Sequence, residues 1–265
     1  MLGWTGLQQR SQETDRRQTS TLKYDALNVL KNLHFWALDK SSLFELFLNR
    51  TRLPNIPRFF ALDLEGHLSK DPPVVEQAAA INVDSMKEKD YQFLFNVNIN
   101  NPQHLNNKTE SQETRDFGQT LLGFGKSSYW HYNKDALSGI RVDPTQAATL
   151  IKESGITCDD YIIVWHKTRA DVTALRHILS EAGFHGVMPP DDHIIRLNYL
   201  FRHNVELPKG VKCGLEFLFS TFFPTHPLRL SHHDALIDSK KAALMALLAE
   251  KLCKGEGTAD LHGTG

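Results

Sequence analysis

Cysteine is scarce in this chain: Cys158, Cys213 and Cys253 are the three among 265 residues. They lie far apart and form no C-x-x-C pair, which argues against a disulfide-stapled scaffold and against a cysteine-rich zinc site. That usage fits a reducing, intracellular setting, cytoplasmic or nuclear. Long apolar runs are also lacking. None approaches the ~20 residues needed to cross a bilayer, so no membrane role is expected. Net charge is almost absent, at −1 from 30 Lys and Arg against 31 Asp and Glu. Any basic surface for nucleic acid is therefore local. Arg10, Arg16 and Arg17 stand beside Glu13 and Asp15, which makes a poor transit peptide. There is no internal repeat. The sequons at Asn49 and Asn107 come without a secretory signal and are read as carrying no sugar.

The chain does contain a clear change of texture. Residues 1–20 are polar and read as a disordered tail. Residues 21–57 read as a helical extension and linker, with Leu22, Leu27, Leu30, Leu33, Trp36, Leu43 and Phe47 near helical spacing and Pro54 and Pro57 closing it. Strand-like segments follow at 58–65, 74–83 and 91–99, rich in Val, Ile and Phe. Residues 100–140 read as a long loop. A helix is expected over 144–153 with Asp143 as its N-cap, a buried strand over 161–165, and a helix over 170–182 closed by Gly183. Residues 194–201 suit a strand or a short helix, and 215–223 are apolar and ambiguous. A long helix is expected over 234–254, then a flexible tail over 255–265. Strands first, then alternating strand and helix, predict an α/β domain with a mixed sheet over 58–254.

Asp63-Leu64-Glu65 ends the first apolar strand. Strand side chains alternate, so Asp63 and Glu65 share a face and Leu64 points away. Two carboxylates side by side suit hard cations, although an isolated D-x-E is commonly a pair of solvated acids. Two further acids stand at comparable places. Asp171 falls in the first turn of the helix after the 161–165 strand, behind His166-Lys167-Thr168-Arg169-Ala170. Asp238 falls about one turn into the last helix, behind His233-Asp234-Ala235-Leu236-Ile237. On one continuous helix His233 and Asp238 would lie ~140° apart. His233 is therefore expected at or before the helix start, where Ser231 and Asp234 resemble a capping box.

These three segments, in this order, resemble the D-x-E, H-N-x-x-F-D-like and H-x-A-x-x-D motifs of the DEDDh 3′–5′ exonuclease superfamily. Residues 71–80 resemble that family's second strand, and Gly139-Ile140 the segment ahead of its connecting helix. The similarity spans about residues 58–253. It departs at Gly66 and His67, where the family usually has Thr after D-x-E, and at Lys167 and Ala170. The resemblance implies an RNase H-like mixed sheet flanked by helices and a two-metal mechanism using two Mg2+ or Mn2+. It implies that Asp63 bridges the metals, that Glu65 and Asp238 hold the water-activating one, and that Asp171 supports the other. His233 becomes the general base, and the product a nucleoside 5′-monophosphate. The implied partner is the 3′ end of single-stranded nucleic acid, with RNA slightly favoured over DNA.

Leu64, Gly66, His67, His166 and Lys167 are the expected substrate contacts. Phe124, Tyr129, Trp130 and His131 suit base stacking or plain loop packing. Lys126, Lys134, Arg141, Lys167 and Arg169 suit phosphates or a solvated surface, and Lys240-Lys241 reads as the exposed face of the last helix. Two other signals are set aside. Gly125-Lys126-Ser127 ends like a phosphate-binding loop, but position 120 holds Thr rather than Gly. His232-His233 has Asp and Ser rather than Cys around it. Two alternatives stay open: a catalytically silent binding module on the same fold, and an adaptor that docks a protein partner through the N-terminal helices.

Overall fold

The computed structural model describes residues 42–68, 71–87, 92–100, 139–166, 169–204, 213–230 and 234–254. The expected tail over 1–20, the helical pattern ahead of residue 42, most of the 100–140 region and the tail over 255–265 lie outside the described residues. In chain order the elements are α1 (Ser42–Asn49), β1 (Phe59–His67), β2 (Val74–Asn82), β3 (Phe93–Ile99), β4 (Ile140–Val142), α2 (Pro144–Glu153), β5 (Tyr161–Val164), α3 (Ala170–Glu181), β6 (Ile194–Arg196), α4 (Leu197–Asn204), α5 (Leu215–Phe222) and α6 (Ala235–Lys254).

The strands form one six-stranded sheet of order β4-β3-β2-β1-β5-β6. β1, β2 and β3 run antiparallel in succession. β5 pairs parallel with β1, β6 parallel with β5, and β4 parallel with β3. This is the mixed sheet flanked by helices that the strand-then-helix pattern predicts, and it is consistent with an RNase H-like architecture.

β1 is central, and its alternation builds a core on each face. Phe59 and Ala61 point to one side, where they pack with Phe219, Phe223 and the buried row Ala242, Ala243, Ala246 and Leu247 of α6. Phe60, Leu62 and Leu64 point to the other, against Ala147 and Ile151 of α2 and Val172, Leu175 and Leu179 of α3. At ~25 cal/mol per Å² of apolar surface, these two layers supply the main driving force for folding.

Local signals set the helix ends. Asp143 Oδ1 accepts the Gln146 N–H at 2.8 Å, and Gln146 Oε1 accepts the Asp143 N–H at 3.3 Å, a reciprocal capping box ahead of Pro144. α3 closes on Gly183 at φ 80°. The Phe184 N–H bonds back to the Leu179 carbonyl at 2.8 Å and the Gly183 N–H to Ser180 at 2.9 Å. Two ambiguous segments resolve. Residues 194–201 divide into β6 and the start of α4, and 215–222 form α5.

α1 is not peripheral. Phe44 and Phe47 are fully buried in the same cluster as Phe59. Arg50, which follows α1, is also fully buried. It donates to Asp84 at 3.0 and 2.6 Å, to Glu250 of α6 at 2.9 Å and to the Phe47 carbonyl at 2.7 Å. Burial pushes the Asp84 and Glu250 carboxyls up, but the hydrogen bonds and charge of Arg50 outweigh it and hold both below their usual range.

Candidate metal centre

β1 carries two acids toward α6, and its pairing explains where they stop. Asp63 sits opposite Ala79 and Glu65 opposite Gln77 on β2. The register then slips between Glu65 and Gly66. Gly66 has φ 141°, and a Cβ there would lie 2.3 Å from the Val74 carbonyl oxygen. Only glycine fits this bulge, which shifts the register directly after Glu65 before pairing resumes at Gly66 and His67.

The third acid comes from α6. Asp234 caps that helix, its Oδ1 accepting the Leu236 and Ile237 N–H groups at 3.0 and 3.1 Å. The expected capping box is thus corrected: Asp234 itself is the cap, and Ser231 lies outside the described residues. Two further bonds fix the helix on β2. Gln77 Oε1 accepts the Ala235 N–H at 2.9 Å, and Ser239 Oγ donates to the Ala79 carbonyl at 3.0 Å. Gln77 and Ser239 are both fully buried. Because Gln77 and Ala79 are the register partners of Glu65 and Asp63, these bonds bring Asp238 onto the β1 acids.

Asp63, Glu65 and Asp238 each offer a carboxylate oxygen, and these oxygens lie within 4.8 Å of one another. Asp171, in the first turn of α3, is 5% exposed. It stands outside that tight group, yet it is close enough to act on Asp63 electrostatically. Burial pushes the Asp63 carboxyl well above the usual range, and Glu65, Asp238, Asp171 and Asp234 add to the rise in that order. Burial also pushes Asp171 up to about 6, against a backbone hydrogen bond that pulls it down. Negative charge is crowded here in a half-dry setting, and a hard cation relieves that crowding. The donors are carboxylate oxygens, which fit Mg2+ or Mn2+ and not a thiolate-seeking metal.

The remaining expected residues divide. Leu64 is corrected: strand alternation turns its side chain away from Asp63 and Glu65 and into the core beside Phe60 and Leu62, where it is 5% exposed. The backbone that Gly66 admits closely is that of β2. His67 is the last residue of β1, opposite Val74, and His166 is exposed just beyond β5. Arg169 donates to Asp191 at 2.5 Å, alongside Arg176 at 2.6 Å. Arg141 is exposed on β4. Lys167, His233, Phe124, Lys126, Tyr129, Trp130, His131 and Lys134 lie outside the described residues.

Sequence reading missed Gln77, Ser239 and Lys241. Lys240 and Lys241, which the sequence places on an exposed helix face, are both buried. The signal that could have found Gln77 is its place next to Glu76 in the otherwise apolar strand of Val74, Val75, Ala78, Ala79, Ala80 and Ile81.

No protein-family model matches the chain, and no curated protein matches its sequence. A solved structure with some likeness is the catalytic unit of Neurospora crassa Pan2, described as a protease and nuclease domain. It is 13% identical, with a TM-score of 0.39, over 79% of this chain and 30% of that one. This chain thus spans less than a third of that chain's length, and a likeness this weak carries no argument about the site.

Proposed function

We propose that this chain is a metal-dependent 3′–5′ exonuclease that hydrolyses phosphodiester bonds of RNA or DNA to nucleoside 5′-monophosphates. The observation that carries the reading is the meeting of Asp63, Glu65 and Asp238 within 4.8 Å. These acids come from two elements far apart in sequence, at the places where the motif resemblance puts metal ligands. Asp63, Glu65 and Asp238 would hold one divalent ion, with Asp63 shared to a second that Asp171 supports. The bound ions supply charge neutralisation at the phosphate and a polarised water.

The chain's own residues do the rest. Asp63 and Glu65 stay on one face because β1 is pleated and pinned against β2. Asp238 is aimed by the docking of α6. His233 would take the proton from the attacking water, since imidazole titrates near neutral pH. His67 and His166 are the candidates for contact with the terminal nucleotide, together with Lys167. RNA is slightly favoured as substrate, and the 2′-hydroxyl is the group that would report it.

The test is digestion of 5′-labelled single- and double-stranded RNA and DNA with Mg2+, Mn2+ or EDTA. Stepwise shortening from the 3′ end, stopped by EDTA and by Asp63→Asn or His233→Ala, supports the proposal. Binding without shortening would instead make the chain a silent nucleic-acid-binding module. Shortening that survives Asp63→Asn would overturn the site.

A further inference from the structure

One fully buried cation stands beside the acid cluster and has no part in the scheme above. Lys241 of α6 is 0% exposed. Its ammonium Nζ is 3.3 Å from Asp238 Oδ1 and 2.5 Å from Glu216 Oε2 at the start of α5. It also lies 5.8 Å from the centre of the Phe219 ring. Asp238 and Lys241 are three residues apart on one helix, which places both on one face.

A buried ammonium is costly to desolvate and is kept only where acids meet it. Among the described residues it meets Asp238 and Glu216, and these differ. Asp238 belongs to the crowded acid group. Glu216 stands outside that group on another helix, and its side chain is 42% exposed. The shorter contact is to Glu216. A lysine drawn fully onto Asp238 would be a resident counter-ion competing with any divalent cation for the same carboxylate. Glu216 pulls the other way.

We propose that Glu216 is a positioning residue which, by binding the Lys241 ammonium, holds it back from Asp238 and so leaves that carboxylate available to a divalent cation. α5 thereby becomes part of the metal centre without touching it. The proposal rests on the reading of Asp238 as a metal ligand. It adds a competition in which Lys241 stands in for metal and Glu216 sets how strongly.

The experiment is Mn2+ binding to the full chain by isothermal titration, without substrate, for the parent, Asp63→Asn, Glu216→Gln, Lys241→Met and Glu216→Gln/Lys241→Met. Glu216 is half-exposed, so Glu216→Gln leaves the core intact, and the circular dichroism spectrum checks this. The expected result is Mn2+ binding weakened about fivefold or more by Glu216→Gln. The double variant should return to at least the parental affinity, because the competing ammonium is gone. Lys241→Met alone should bind at least as tightly as the parent. Unchanged affinity in Glu216→Gln, or weak binding that persists in the double variant, overturns the inference and leaves the metal site standing. A parent that binds no Mn2+, or Asp63→Asn binding as the parent does, overturns the metal site and this inference together.

Discussion

Gln77 and Ala235 are 158 residues apart, and the amide oxygen of one accepts the backbone N–H of the other at 2.9 Å. This bond ties the first turn of the last helix to the strand that lies across from Asp63 and Glu65. It turns a sheet register into an acid-to-acid distance. Gln77→Leu keeps the volume and removes the acceptor, leaving the Ala235 N–H buried without it. We expect a loss of about 1–3 kcal/mol in urea unfolding. Mn2+ affinity should fall with it, read by titration at temperatures where the variant remains folded.

Asp63 shows the opposite kind of balance. Its ionised carboxylate form is disfavoured by burial and by four neighbouring acids. Asp63→Asn removes one charge from that crowd at nearly constant shape. In EDTA the variant should melt higher than the parent, by roughly 2–4 °C if ~1 kcal/mol is regained. Added Mn2+ should raise the melting temperature of the parent and not that of the variant. A parent whose melting ignores Mn2+ would contradict the proposed metal centre.

Gly66 is replaceable only at the expense of the bulge. Its φ of 141° and the 2.3 Å approach to the Val74 carbonyl leave no space for a methyl group. Gly66→Ala is expected to destabilise by about 1–3 kcal/mol from backbone strain. Crystals of the variant should show Glu65 displaced relative to Asp63. A variant of parental stability would mean that the bulge relaxes at no cost.

The Arg50 cluster predicts a pH signature. Asp84 and Glu250 are held below their usual range in the folded chain. Groups of that kind contribute stability fully above their unfolded values and lose it as pH falls through the folded ones. The cluster's contribution is therefore present at neutral pH and fades below about pH 4. Arg50→Met should cost about 3 kcal/mol near pH 7, because it removes the buried guanidinium from buried Glu250 and from part-exposed Asp84, which keep only the weaker ion pairs to Lys87 and Lys254 among the described residues. The gap between variant and parent should narrow steadily in urea titrations taken to lower pH. A gap independent of pH would assign the loss to packing alone.

The parts of this fold that were legible in sequence are those written in local chemistry. The D-x-E alternation, the Asp143 cap and the Gly183 stop each need a few neighbouring residues, and each lies where it was read. Less legible were features decided by distant partners. Lys241 reads as a surface charge until Glu216 and Asp238 are placed beside it. Residues 215–222 become a helix because Leu218 and Phe219 have a core to enter. Leu64 is a different case, since the local alternation that pairs Asp63 with Glu65 already turns its side chain away from them. The convergence of the acids lay between these cases: the motifs named the residues, while Gln77 and Ser239, which seat the helix, bear no motif.

The burial of Phe44 and Phe47 has a practical outcome for anyone trimming this chain to the segment that bears the acids. Starting it at residue 58 would uncover an oily hollow floored by Phe59 and its neighbours, and would remove the guanidinium on which Glu250 leans. Such a fragment should come out of cells as aggregate, whereas one that begins ahead of residue 42 keeps the hollow filled.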